Sequence, residues 1–183
     1  VWPCGEDRPE TTSNVNYTAG GVFPNAVLAK LGTDGSVCVF THATTHLVID
    51  VNGYVAPGAD LTTSTPVRML ETRPGEPTFD GNGRPGVALT AGGVLPVQIA
   101  GRGDVAPGAT AVFMNLTAVF PDAAGHLTVY PCDEPRPEQA SNVNYTAGGV
   151  FPNAVLAKLS ADGRVCIFTH AATHLIADVV AST

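Results

Sequence analysis

The sequence predicts an all-β protein, an antiparallel β-sandwich built from tandem repeats. Three observations carry this. Short runs rich in Val, Thr, Ile and Phe sit between clusters of Gly, Pro, Asn and Asp, the pattern of strands and turns. Gly (20) and Pro (15) recur too often to leave room for a helix of three turns. And part of the sequence occurs twice.

"SNVNYTAGGVFPNAVLAKL" occupies residues 13–31 and again 141–159. Extended at a fixed offset of 128, residues 1–55 align without gaps on 129–183, and 39 of the 55 pairs are identical. Repetition of this kind marks stacked or strung units. Residues 56–128 have no counterpart, so the chain holds one and a half repeats. The expected organisation is the C-terminal half of a β module at 1–55, a linker at 56–65 and a complete β module at 66–183. Starting at Val1 without an initiator Met, the sequence reads as a piece of a longer protein.

Taken in order, strands are expected over 14–18, 26–31, 36–41 and 46–51, and the second copy repeats that set. Between the copies the same signals fall at 67–72, 94–100, 110–120 and 126–130. "GTDGS" at 32–36 predicts a hairpin turn, with Asp34-Gly35 supplying the positive φ. The expected sandwich spans 66–183, with strands of its N-terminal portion and of the second copy packed face to face. A fainter echo offers another arrangement. "TAGGVLP" at 90–96 resembles "TAGGVFP" at 18–24 and 146–152, and three related segments suit a threefold β-trefoil. Their unequal spacings, 72 and then 56 residues, place it second.

Composition excludes several function classes. Charged residues make up 14% of the chain, and the net charge is −7. No basic face exists for a nucleic-acid backbone. No run of some 18 apolar residues exists to span a membrane.

The four cysteines divide evenly between the copies at matching positions. A pair preserved through duplication predicts a disulfide within each copy, Cys4–Cys38 and Cys132–Cys166. Two buried thiols per copy and a metal site are the alternatives, although no CxxC spacing supports a metal. Disulfides would place the protein outside a reducing cytosol.

An ordered series of motifs resembles a known family. "RMLETR" (68–73), "AVFMNLTAVFPDAAGHLTVYPC" (111–132), "RPEQASNVNY" (136–145) and the closing "THLVIDVNGY" (45–54) are similar to a repeat module of secreted actinobacterial proteins. That pattern runs R-L-L-D-T-R, N-V-T-x-V-x-P-x-x-x-G-Y-L-T-V-Y-P, S-N-L-N, D-V-x-G-Y. Such modules occur in tandem, often behind a catalytic domain such as a peptidase, and carry no assigned activity. The resemblance implies an extracellular or cell-surface location and brings no catalytic residue. Glu71 stands where the family tends to have Asp. The second copy closes on "DVVAST" instead of "DVNGY", which suggests a C-terminal end.

The chemistry-bearing residues are few. In "THATTHLVID" and "THAATHLIAD", His46 and Asp50, like His174 and Asp178, lie four apart on an expected strand and so on one face. With His42 and His170 across a tight turn, each set is a candidate metal site. The competing reading has these side chains capping turn amides and strand ends. Ser13 and Ser141 lack a nucleophile-elbow sequence, and no cofactor is expected. Asn14 and Asn16, with Asn142 and Asn144, are candidates for an amide ladder or for hydrogen bonds to a sugar. "DGNGRPG" (80–86) lacks the remaining ligands of a calcium loop. "GRGD" (101–104) reads as chance, and the sequons at Asn16, Asn115 and Asn144 fall within strands.

The expected function is a non-catalytic extracellular structural or surface-display repeat. It self-associates, or forms part of a filament or stalk, through residues 1–55. The alternative is a carbohydrate- or cell-wall-binding module attached to a secreted enzyme, with a cell-wall glycan as partner. Its candidate aromatic contacts are Trp2, Tyr17, Tyr54, Tyr130 and Tyr145.

Overall fold

In a computed structural model, residues 1–10, 13–56, 58, 60–83 and 85–183 are described. They form two compact units, Val1–Ile49 and Asp50–Thr183. The expected linker at 56–65 includes Pro57 and Ala59, which lie outside the described residues. Its last four positions belong to a strand.

The second unit is an antiparallel β-sandwich. Its strands are β3 (Thr62–Glu71), β4 (Val94–Gln98), β5 (Ala111–Val119), β6 (Gly125–Pro131), β7 (Val143–Tyr145), β8 (Val150–Lys158), β9 (Arg164–Thr169) and β10 (His174–Ser182). One sheet runs β3-β10-β5-β8 and the other β4-β9-β6-β7. Along β5 the side chains alternate as a half-buried strand must. Val112, Met114, Leu116 and Ala118 enter the core, where they meet Leu127, Ile167 and Leu175. Among the described residues no helix is long and apolar enough to cross a membrane.

The strands of the two halves do not segregate into facing sheets. They alternate within each sheet. All six ladders join a strand that begins before Val129 to one that begins after it. The second copy therefore makes almost no ladder with itself. Two other expectations are corrected. The Asp-Gly turn after β8 keeps its predicted positive φ at Gly163 (78°), but it carries the chain from one sheet to the other instead of closing a hairpin. The "TAGGV" echo is a turn with a left-handed glycine (Gly92, Gly148) that leads into β4 in one sheet and β8 in the other. It builds no threefold axis.

The first unit contains two short strands, β1 (Trp2–Pro3) and β2 (Val37–Cys38), paired antiparallel. Outside β2, the strands expected at 14–18, 26–31, 36–41 and 46–51 do not form there. The reason lies in the topology. Only the ladder positions internal to a copy can survive without the other half. In the second copy these include Tyr130↔Cys166 and Pro131↔Val165. Their equivalents, Trp2↔Cys38 and Pro3↔Val37, are the pairs that β1 and β2 make.

Candidate functional site

The "RMLETR" motif forms the end of β3 and the two residues after it. Glu71 is fully buried. A carboxylate can stay charged there only with cations and donors around it. Arg73 provides both, donating from its backbone N, Nε and Nη2, while Arg68 donates from Nη1. Burial alone would raise the Glu71 pKa, but the Arg73 hydrogen bonds and the two guanidinium charges outweigh it and hold the value below normal. A register shift between Ala177 and Asp178 sets Arg68 opposite Asp178. The guanidinium grips that carboxylate with two bonds, of 2.9 and 3.3 Å. Thr72 completes the clamp: its hydroxyl accepts from Leu175 N (2.8 Å), and its carbonyl and hydroxyl lie 3.1 and 3.2 Å from His174 Nδ1.

The candidate metal residues of the second copy are thus directed to three different places. His174 meets Thr72, Asp178 meets Arg68, and the His170 ring stacks on His126 with centroids 5.4 Å apart. Burial, followed by the nearby His170 and Arg136, lowers the His126 pKa. In the first copy, His42 and His46 are exposed residues of the first unit, whereas Asp50 begins the second. Among the described residues no group of three His, Cys, Asp or Glu side chains could hold a metal ion.

Asn142 is buried, with Oδ1 accepting from Val129 N (2.7 Å) and Nδ2 donating to Asn52 Oδ1 (3.3 Å). Asn144, on β7, stands opposite His126. In the "GRGD" segment, Arg102 is engaged by Asp80 at 2.7 and 2.9 Å and by the carbonyls of Met69 and Gln98. That pair also uses the leading carboxylate of "DGNGRPG", whose Arg84 lies outside the described residues. The disulfides are Cys4–Cys38 and Cys132–Cys166.

The first unit presents an incomplete module in the shape of the complete one. The Cα atoms of its disulfide are 5.0 Å apart, against 4.9 Å in the second copy. Tyr17 Oη lies 2.6 Å from Thr41 Oγ1, as Tyr145 Oη lies 2.7 Å from Thr169 Oγ1. Asn25 Nδ2 donates to Asn14 O, as Asn153 Nδ2 does to Asn142 O. Val1 N donates to Asn14 Oδ1, as Val129 N does to Asn142 Oδ1. Arg8 lies over Phe40 as Arg136 lies over Phe168, and Lys30 pairs with Glu6 as Lys158 pairs with Glu134. What differs is cover. Leu47 is 56% exposed where Leu175 is 0%, and Val48 is 88% exposed where Ile176 is 8%. Sequence reasoning read this stretch as half of a module but missed that its internal scaffold is already in place.

No family model, curated protein or solved structure matches this chain.

Proposed function

We propose that the protein is a non-catalytic, extracellular structural repeat that associates through residues 1–55, as a segment of a filament, stalk or surface layer. The observation that carries this is the preorganised first copy with its apolar strands uncovered. Exposed apolar side chains such as Val22, Leu28, Leu47 and Val48 invite cover by another chain. Two disulfides fit an oxidising compartment. In the second copy, Asp178 and His174 are engaged in holding β3 and the residues after it to β10. The resemblance to tandem modules of secreted actinobacterial proteins belongs to this proposal. One heterologous contact repeated head to tail yields an open filament when the rotation does not close.

Light scattering from the intact chain, at micromolar concentration and above, tests the reading. Mass is expected to rise with concentration, and removal of residues 1–57 should leave a folded monomer. An intact chain that stays monomeric while residues 1–55 are protected from hydrogen exchange would sink the proposal.

A further inference from the structure

We propose that Asn52-Gly53 is a self-modifying site, where the chain converts its own asparagine to aspartate and isoaspartate, and that the fold protects Asn82-Gly83 from the same change. The chemistry belongs to the residue pair. Glycine has no side chain to shield its backbone nitrogen, so that nitrogen can reach the side-chain carbonyl carbon of a preceding asparagine. Gly53 N gives up its proton and bonds to Cγ of Asn52. The Cγ–Nδ2 bond breaks, Nδ2 leaves as ammonia, and a five-membered imide is closed. Water then opens the ring. Addition at Cγ yields aspartate, and addition at the main-chain carbon yields isoaspartate, whose backbone runs through Cγ. Either product carries one more negative charge.

The sequence contains two Asn-Gly pairs, and the structure treats them oppositely. Residues 51–56 are exposed and belong to no strand or turn. Among the described residues, nothing accepts a hydrogen bond from Gly53 N or from Asn52 Nδ2. The bond this side chain does make is at its oxygen, from Asn142 Nδ2 at 3.3 Å. Asn142 is buried, and its own Oδ1 is committed to Val129 N, so its amide nitrogen faces Asn52. A donor there stabilises the charge that collects on Oδ1 when Cγ is attacked.

Asn82-Gly83 is tied down on both sides. Asn82 N and Nδ2 donate to the Asp80 carboxylate at 3.0 and 3.2 Å. Its carbonyl accepts from Thr78 Oγ1 and Arg102 Nη2, and Gly83 O accepts from Glu71 N. A Cβ at Gly83 would lie 2.4 Å from Met69 O, so this loop is seated closely on β3. The second copy gives another contrast. Its equivalent residues are Val180 and Ala181, within β10, with no asparagine to convert. The new carboxylate, and in isoaspartate an extra backbone methylene, therefore falls only at the end of the first copy. It does not depend on assembly through residues 1–55.

The test incubates the intact, oxidised chain at mildly alkaline pH. Acid quench, reduction and peptic digestion precede mass spectrometry of the peptides that hold residues 52 and 82. Expected at residue 52 is the mass change of amide to acid, with isoaspartate the larger product by electron-transfer fragmentation and ammonia released in step. Conversion at residue 82 should be at least about tenfold slower, because two hydrogen bonds to Asp80 must break first. In denaturant residue 82 should catch up with residue 52. Gly53→Ala, whose added carbon meets Leu156 at an ordinary 3.5 Å, should suppress conversion at 52. An unconverted Asn52, equal conversion at both sites in the folded chain, or a rate indifferent to Gly53→Ala overturns the inference. A residue 82 that stays slow in denaturant is equally fatal to the protection assigned to the fold.

Discussion

Two stretches of identical sequence behave differently in this molecule. Residues 143–145 and 150–158 are strands of a sandwich, while residues 15–17 and 22–30, letter for letter the same, form no strand. Both keep the same disulfide, the same tyrosine hydroxyl bonds and the same asparagine contacts. The difference teaches where the information for the sheets resides. Turns, bridges and side-chain hydrogen bonds are internal to a half module, and they form wherever that half occurs. The sheets of the sandwich are shared property, because each of its six ladders takes one strand from each half.

Paired substitutions sharpen this comparison, and the largest contrast belongs to the core. Leu175→Ala should destabilise the sandwich by about 2–5 kcal/mol. Leu47→Ala, at the equivalent exposed position, should move it by no more than about 0.5 kcal/mol. Denaturant titration of the two variants decides this, and equal effects would break the distinction between the copies. The disulfides come next. Replacing Cys132 and Cys166 by serine opens a bridge of sequence separation 34 within the sandwich, which should cost about 3–4 kcal/mol. The melting temperature would fall by on the order of 10 °C. Replacing Cys4 and Cys38 should leave that transition where it is, as calorimetry can show.

Glu71 gives a smaller effect with a pH signature. Glu71→Gln leaves Arg73 without its buried carboxylate and should cost about 1–3 kcal/mol at neutral pH. The folded carboxyl titrates below its ordinary value. Its contribution is therefore complete above the unfolded pKa, about 4.3, and disappears as pH falls through the lower folded value. The variant should lose part of the acid-side decline in stability below about pH 4.3. An unaltered acid limb would show that the carboxylate is not held in its charged form. The smallest contrast is none at all. Lys158–Glu134 and Lys30–Glu6 are both exposed pairs, so Lys158→Ala and Lys30→Ala should each change stability by less than about 1 kcal/mol.

Much of the sandwich was legible in the sequence, and the misses share one cause. β4, β5 and β6 fall close to their predicted limits because alternating apolar residues between turn signals are a local pattern. The strands predicted over 14–51 carry the same signals, yet most fail to form because a ladder partner is not a local property. The turn at Asp34-Gly35 has the φ its residues demand. Its twin at Asp162-Gly163 nevertheless joins two sheets, since turn chemistry sets a bend and not what the following strand pairs with. The clamp was half visible. Two arginines flanking a glutamate in an apolar strand signal a buried charge, but only the β3–β10 register reveals Asp178 and His174 as its partners. For the same reason those two residues first read as metal ligands.

The duplication itself supplies the most direct measurement. Proteolytic peptides that lie wholly within residues 13–31 have the same mass as their equivalents within 141–159. Hydrogen exchange of the dilute, monomeric chain therefore reports both places in a single isotope envelope. Expected is a bimodal envelope of two equal parts, one exchanging fast from the open half and one protected by the ladders of the sandwich. A single protected envelope would contradict the claim that the second half alone has its sheets filled.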